Sequence, residues 1–353
     1  MTKSEKIRIG FVELETLVRS MFERLGMRGE DADTVARVLV WANLRGVDSH
    51  GVSRIPRYVE LFESGQAKAR PEMAISRPRP ATVLIDADGA PGPVAMARAM
   101  QEAIATAKKT GVAWAAVRGT VHTGAIGYYT SLAADAGMIG IGMVAGMPNM
   151  AYPGAQGAAV ATSPLAIAVP SASHGDVLLD MATATIALGR IAQFRNAGKA
   201  LPEGAALTAA GEPTTDPKLA EIPTPMAGAK GAGMSLVFEL LTSVLAGNPI
   251  VSSFHSGAPE GRRHRQNGAL IAVDIEAFSP LAAFKRGVDD TLASLKGLPK
   301  KAGAESILFP GERGKRVFRE RSSGGIPVSG AVWQKLVKDA EKLNVKVPEV
   351  AAA

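Results

Sequence analysis

The chain has 353 residues, 46% hydrophobic and 21% charged, with a net charge of +7 and no cysteine. That length builds a sizeable core in two or three lobes, and the missing cysteine excludes disulfides, thiolate nucleophiles and cysteine-bound zinc. Aromatic residues make up 5% and do not alternate with basic ones, which argues against a base-stacking nucleic-acid surface; an anionic small molecule explains the positive balance as well as nucleic acid does.

The N-terminus has no long apolar run before a small-residue cleavage site and does not read as a signal peptide. The longest apolar stretch, 137–147, is too short and glycine-rich to span a bilayer. A cytoplasmic protein with neither membrane nor nucleic-acid partners is expected.

Apolar spacing predicts helices over 11–25 and 31–44, and a third over about 55–64. A strand at 81–86 precedes a helix at 93–111, opened by proline and closed by glycine. A strand at 112–117, a helix at 123–137 and strands at 138–144, 165–170 and 176–182 follow, then a helix at 184–198. Residues 199–230 read as loop, and 231–247 as a strongly apolar, buried helix. Residues 251–268 read as exposed loop, with the one basic cluster, Arg262, Arg263, His264 and Arg265. A strand at 269–275, a helix including 290–298, a polar loop at 299–325 and a helix at 330–343 complete the chain. The order implies a sheet with helices on its faces.

Neither a complete dinucleotide fingerprint nor a P-loop is present. GIGMVA at 140–145 has the relaxed glycine spacing but runs into a proline-containing stretch without helical period, whereas the fingerprint needs a helix there. VHTGAIGYY at 121–129 offers another anion site. His122 precedes a helix start that Thr123 would cap, and the N–H groups around Thr123, Gly124, Ala125 and Ile126 could hold a cofactor phosphate. The same residues also read as an ordinary capped helix.

Residues 43–60, NLRGVDSHGVSRIPRYVE, gather polar groups among apolar ones. A helix from Ser49 would set His50, Arg54 and Arg57 on one face. An arginine fork holds a carboxylate and a histidine exchanges a proton near neutral pH. Taken alone, such a face is as readily a solvated helix with ion pairs. The five histidines show no metal-ligand spacing, and no G-x-S-x-G elbow supports a hydrolase.

RGVDSHGVSRIPRYV resembles the signature of the malate/L-lactate dehydrogenase family of the non-Rossmann type, to which ureidoglycolate dehydrogenase, sulfolactate dehydrogenase, 2,3-diketogulonate reductase and piperideine-2-carboxylate reductase are similar. VHTGAIGYY, ATSPLAIAVP, LLDMATATIALGRI, GEPTTDP, GAKGAGMSLVFELL, NGALIAVDIEAF and FPGER resemble further blocks in the same order, over about residues 41–320. The resemblance implies a non-Rossmann α/β sulfolactate dehydrogenase-like fold: a mixed sheet with flanking helices and an N-terminal helical segment. It implies an NAD- or NADP-dependent oxidoreductase acting on a small 2-hydroxy or 2-keto acid, usually as a homodimer. It gives His50, or in some members His122, the acid/base role, with Arg54 holding the substrate carboxylate; Ser49 is a candidate to orient His50. Arg57 and Thr162 are further candidate substrate contacts. Cofactor contacts are implied at Asp180, Met181 and Ala182, at Lys230, and at Gly311, Glu312 and Arg313. Arg313 and the 262–265 cluster are candidates to meet a 2′-phosphate.

Three regions are expected: residues 1–75 as a helical segment, 76–120 with 296–325 as a cofactor lobe, and 121–295 with 326–353 as the substrate and dimerisation domain. Val121 and Ser163 stand where the family carries asparagine, which removes two amides near the expected site. Arg190 stands where the cyclic-imine reductase has an aspartate. A cation cannot serve as a relay carboxylate, so a keto or hydroxy acid is favoured over an imine. A non-catalytic ligand-binding homologue is the remaining alternative.

Overall fold

The structure, a computed structural model, describes residues 6–258 and 264–349; Arg262 and Arg263 lie outside the described residues. The chain opens with β1 (Lys6–Ile9), α1 (Phe11–Arg24), α2 (Gly29–Leu44) and α3 (Ile55–Glu63). The apolar stripes of these helices bury Leu14, Leu17, Val18 and Met21 against Val35, Leu39 and Ile55. The far end of the chain closes the same core: β12 (Ile326–Ser329) pairs antiparallel with β1, and α11 (Gly330–Lys342) adds Trp333 and Leu336. The N-terminal helical unit therefore includes C-terminal residues.

The centre is a seven-stranded sheet. In spatial order it comprises β2 (Ala74–Arg79), β3 (Thr82–Asp86), β4 (Val112–Thr120), β11 (Gln266–Asp274), β5 (Met138–Gly146), β6 (Leu165–Pro170) and β7 (Asp176–Met181). Only β3 and β4 pair in parallel, joined by α4 (Gly92–Thr110); β11 inserts antiparallel between β4 and β5. The sheet is mixed, as the resemblance implied. The expected division at 120/121 falls at the end of β4, inside this continuous hydrogen-bonded sheet. Hydrogen-bonded strands share one core and do not separate into lobes.

One face of the sheet is covered by α4 and α5 (Gly127–Asp135), which bury Met96, Met100, Ile126 and Tyr129 against Val117, Val144 and Leu270. The other face meets α7 (Ala229–Glu239), where Phe238 packs on Met143, Ala269 and Ile271. The expected burial of the 231–247 helix is only half right. It passes into a π-helical turn at Leu240–Val244, and Val237, Leu240, Val244 and Leu245 are 47% to 62% exposed.

The remaining elements are α6 (Leu188–Ala197), the small three-stranded sheet of β8 (Ala206–Leu207), β9 (Pro213–Thr214) and β10 (Ile222–Pro223), and α8 (Val251–His255), α9 (Leu281–Lys296) and α10 (Glu312–Gly324). The small sheet lies where loop was expected, and α10 replaces half of the expected 299–325 loop. Its sequence, ERGKRVFRERSSG, is mostly charged and carries little apolar period. The 251–268 stretch is likewise not all exposed loop: its end is the start of β11, where Asn267 is fully buried.

Candidate active site

The DSH segment does not continue one helix into α3. Asp48–His50 and Val52–Arg54 form two separate 3-10 turns, broken at Gly51, before α3 begins. The cause is Asn43 at the end of α2. Its amide donates to Asp48 Oδ1 at 2.7 Å and its oxygen accepts the Val52 N–H at 2.8 Å. A Cβ at Gly51 would stand 2.0 Å from that oxygen, so only glycine lets the chain pass. Arg321 of α10 grips the Asp48 carboxylate with both terminal nitrogens, at 2.6 and 3.2 Å. Asp48 thus anchors the loop.

This loop presents Ser49, His50 and Arg54 together, each partly buried. Ser49 Oγ lies 3.0 Å from His50 Nδ1, and Arg54 Nε donates to the Ser49 carbonyl. The His50 ring stacks on His122, with centroids 5.7 Å apart and planes inclined by 22°. The structure therefore brings both candidate histidines into one site. Burial and the neighbouring Arg54 push His50 down to about 4, and burial with Arg54 and His50 holds His122 well below the usual histidine range. Both rings are neutral at pH 7.

The surroundings of His122 assign its tautomer. Gly124 N–H donates to His122 Nδ1 at 3.3 Å, so that nitrogen is the acceptor and Nε2 carries the hydrogen. The Tyr58 hydroxyl donates to the His122 carbonyl at 2.8 Å and sits 3.1 Å from Nδ1. For His50 the partner is a hydroxyl, which can donate or accept, so either tautomer is satisfied. Tyr58 was not singled out from the sequence; as an aromatic on the apolar face of α3 it carried no signal.

The expected anion site at Thr123 is not built as foreseen. Helix α5 begins at Gly127 after Ile126, with no side-chain cap. Thr123 N–H is taken by Gln266 Oε1 at 2.8 Å, and Thr123, Ala125 and Ile126 are buried. The Gly127 N–H at the helix start donates to Asp180 Oδ2 at 3.0 Å, so a carboxylate of the chain itself serves where a phosphate was envisaged. Asp180 is exposed to solvent, yet the protein packed around it raises its carboxyl to about 6.

Three expected cofactor segments, far apart in sequence, converge on residues 178–183. Leu178 N–H donates to the Pro310 carbonyl at 3.1 Å, and a Cβ at Gly311 would meet Leu178 at 3.0 Å. On the other side a Cβ at Gly231, beside Lys230, would lie 2.5 Å from the Thr183 carbonyl. Thr183 N–H in turn donates to the Thr162 carbonyl, which places Thr162 beside Met181 and Ala182. Arg45, stacked on Trp41 at 5.1 Å, donates to the Gly311 carbonyl. Glu312 pairs with Lys296 and also accepts the Phe309 N–H, so it shapes its own loop. Lys230 and Arg313 are exposed.

Helix α6, which follows this segment, approaches the His50 loop. A Cβ at Gly189 would stand 2.8 Å from Ser49 Cβ and 3.3 Å from an Arg54 terminal nitrogen. Arg190 is exposed, bonded to Gln193 and stacked on Phe194. Arg57 pairs with Glu60 at 2.7 Å and does not join Arg54 in a fork. Val121 packs with Leu61 and Ala67, and buried Ser163 meets Ser235 at 3.2 Å. Both departures from the family pattern are thus accommodated by packing. Among the described residues no cluster of metal ligands occurs, and no helix is long and apolar enough to cross a membrane.

The sequence profile of the malate/L-lactate dehydrogenase family matches residues 9–337. The chain belongs to that family. Malate dehydrogenase of Pyrococcus abyssi is 34% identical over 354 aligned residues, covering 98% of this chain and 97% of its own. The structure of sulfolactate dehydrogenase from Methanocaldococcus jannaschii superposes with a TM-score of 0.86 at 32% identity, covering 97% of this chain and 98% of that one. The Δ1-pyrroline-2-carboxylate/Δ1-piperideine-2-carboxylate reductase of Pseudomonas putida is 32% identical over 273 residues, 76% of this chain and 80% of its own. Family members of known structure thus share this sheet and its flanking helices over almost the whole chain.

Proposed function

We propose that the protein is a nicotinamide-dependent dehydrogenase that interconverts a 2-hydroxy acid and its 2-keto acid. The observation that carries this reading is the pairing of His50 with Arg54 on one braced loop, stacked on His122. The cofactor would bind along residues 178–183, where the three expected segments meet. Asp180 is an open carboxylate suited to ribose hydroxyls, Lys230 and Arg313 are exposed cations suited to a diphosphate, and the Gly311 loop closes on the strand. Met181, Ala182, Glu312 and the buried 123–126 loop shape the walls. When bound, the cofactor supplies or accepts the hydride.

The chain's own residues do the rest. Arg54 holds the substrate carboxylate. Neutral His50 is ready to remove the hydroxyl proton in oxidation, and Ser49 orients its ring. In reduction His50 must carry a proton. The arriving carboxylate offsets the Arg54 charge that helps keep the ring neutral, so substrate and proton enter together. His122, with hydrogen on Nε2, donates to the substrate oxygen and steadies it. The buried walls limit water around these groups.

The rival reading, a cyclic-imine reductase, needs a carboxylate behind Ser49. Gly189 and Arg54 occupy that space and Arg190 points elsewhere, which favours the keto acid. A homodimer is proposed on the exposed stripe Val237, Leu240, Val244 and Leu245, an apolar face suited to a second copy. The test is the absorbance of NADH and NADPH with a panel of 2-keto acids and cyclic imino acids. Oxidation with a keto acid supports the reading and fixes the cofactor. Turnover of the imine alone overturns it, and cofactor binding without any turnover supports a non-catalytic homologue.

A further inference from the structure

We infer that a cavity at the start of β7 seats the adenosine end of the cofactor and holds a 2′-phosphate there on Arg45 and Arg319, so that the protein prefers NADP⁺ to NAD⁺. The inference rests on the dehydrogenase reading above and deepens it.

The cavity is about 470 Å³, within the ~300–1,000 Å³ of small-ligand sites. Its walls include Trp41 and Arg45 of α2, Asp135 of α5, Phe309, and Lys315 and Arg319 of α10. It continues the line on which the three candidate cofactor segments meet. Asp176, on its wall, is two residues before Leu178, and Phe309 and Glu312 flank the Pro310–Gly311 turn that bonds Leu178. At the other end of that line Asp180 meets Gly127, just beyond the His122 loop. The rise of a strand puts Asp180 and Asp176 about 13 Å apart. A dinucleotide that reacts at the histidines and lies along β7 therefore brings its adenosine end into the cavity.

The charges here are unequally matched. Asp176 pairs with Lys315 at 3.1 Å and accepts the Ser131 hydroxyl, and Glu312 is taken by Lys296 and the Phe309 N–H. Only Asp135 is a carboxylate without an ion pair among the described residues of this cavity. Against it stand two arginines. Arg319 is exposed and has neither a hydrogen bond nor an ion pair among the described residues. Arg45 is stacked on Trp41 and bonded only to the Gly311 carbonyl; its other nitrogens carry no hydrogen bond and remain accessible. Its place is built, because a Cβ at Gly314, early in α10 where glycine is unfavourable, would stand 3.1 Å from an Arg45 terminal nitrogen. Burial first, and then Arg45 and Arg319 against the pull of Asp176, depress the Lys315 ammonium, so the three cations stand together. A phosphate monoester matches such an arginine pair, accepting parallel N–H bonds from each guanidinium. Arginine near the adenosine ribose accommodates a 2′-phosphate, whereas a carboxylate takes the free hydroxyl, and here the arginines outnumber the free carboxylate. Arg313 and Arg265, expected from the sequence to meet this phosphate, do not line the cavity.

The test is calorimetric titration of the whole protein with NADP⁺, NAD⁺ and adenosine 2′,5′-bisphosphate. The wild type should bind NADP⁺ about tenfold tighter than NAD⁺. Arg319→Gln removes an exposed side chain that holds nothing else, and should weaken NADP⁺ about tenfold while leaving NAD⁺ within about twofold. Arg45→Gln should weaken NADP⁺ further and NAD⁺ slightly, because it also frees the Gly311 carbonyl. Arg313→Gln should weaken both alike, since the diphosphate is common to them. No NADP⁺ preference in the wild type, equal losses in Arg319→Gln, or an NADP⁺-selective loss in Arg313→Gln overturns the inference. Adenosine 2′,5′-bisphosphate should bind and be displaced by NADP⁺; binding alongside NADP⁺ makes the cavity a separate nucleotide site and overturns it too. Titration needs no turnover. NADP⁺ binding through Arg319 with no acid or imine turned over keeps the cavity and drops the dehydrogenase reading, whereas turnover with NADH preferred keeps that reading and drops the cavity.

Discussion

His50 and His122 stack ring on ring, yet the loops that carry them are held differently. The His50 loop is gripped from outside by side chains: Asn43 from α2 and Arg321 from α10 hold Asp48, and the ring faces a serine hydroxyl that accommodates either tautomer. The His122 loop grows out of the end of β4, with backbone groups spent on Gln266 and Tyr58 and one ring nitrogen committed to Gly124. A group that exchanges protons needs the first environment, because its hydrogen-bond partners must tolerate both states. A group that donates a fixed hydrogen bond is better served by the second.

That contrast can be broken from the substrate side. Arg54→Met should reduce kcat/KM for keto acids by roughly 10² to 10³, mainly through KM, as loss of a charge-assisted clamp does. An unchanged KM removes Arg54 from the carboxylate. Next in size are changes to the external grip. Gly51→Ala forces Asn43 off both of its partners and should destabilise the protein by about 2 kcal/mol, two hydrogen bonds' worth. Denaturant unfolding checks it, and an unshifted midpoint would show that Asn43 is not the brace. Arg321→Met should cost about 1–2 kcal/mol, limited because Asp48 is 39% exposed, and should lower kcat with little effect on cofactor binding. Tyr58→Phe touches the other loop and should cost only about 1 kcal/mol. If it slows turnover as much as Arg321→Met, the two loops are not functionally distinct.

Another effect is in pH. His50 and His264 are each pushed down to about 4 from 6.5, and His122 moves the same way. Between about pH 6.5 and 4 the unfolded chain takes up these protons before the folded one does. Stability from these groups is thus full above pH 6.5 and falls as pH drops toward 4. Tm should decline across that window, and His264→Gln should flatten the decline. A variant with the wild-type slope would contradict the assignment of His264 to the buried cluster.

The helices α1, α2 and α4 were legible in the sequence because their apolar spacing is helical and their packing follows it. Ordered motifs marked His50, Arg54, His122 and the three candidate cofactor segments, though not that those segments would meet along β7. Helix α10 was missed because charge hides its period, yet it supplies the arginine that anchors Asp48. The start of α5 was misplaced because Thr123 looked like a cap. Nothing local shows that Asp180, 53 residues on, would reach Gly127. His264 and Arg265 looked like a solvated basic run, and only the fold buries His264 Nε2 and Arg265 Nε and Nη2.

The most direct measurement is single-turnover absorbance of the reduced cofactor with a keto acid, for the wild type, His50→Asn and His122→Asn. His50→Asn should slow the hydride step by roughly 10² to 10⁴, the usual contribution of acid–base catalysis, and His122→Asn, which keeps a donor, should slow it far less. A His50→Asn enzyme of near wild-type rate, or a larger loss in His122→Asn, would contradict the assignment of proton transfer to His50.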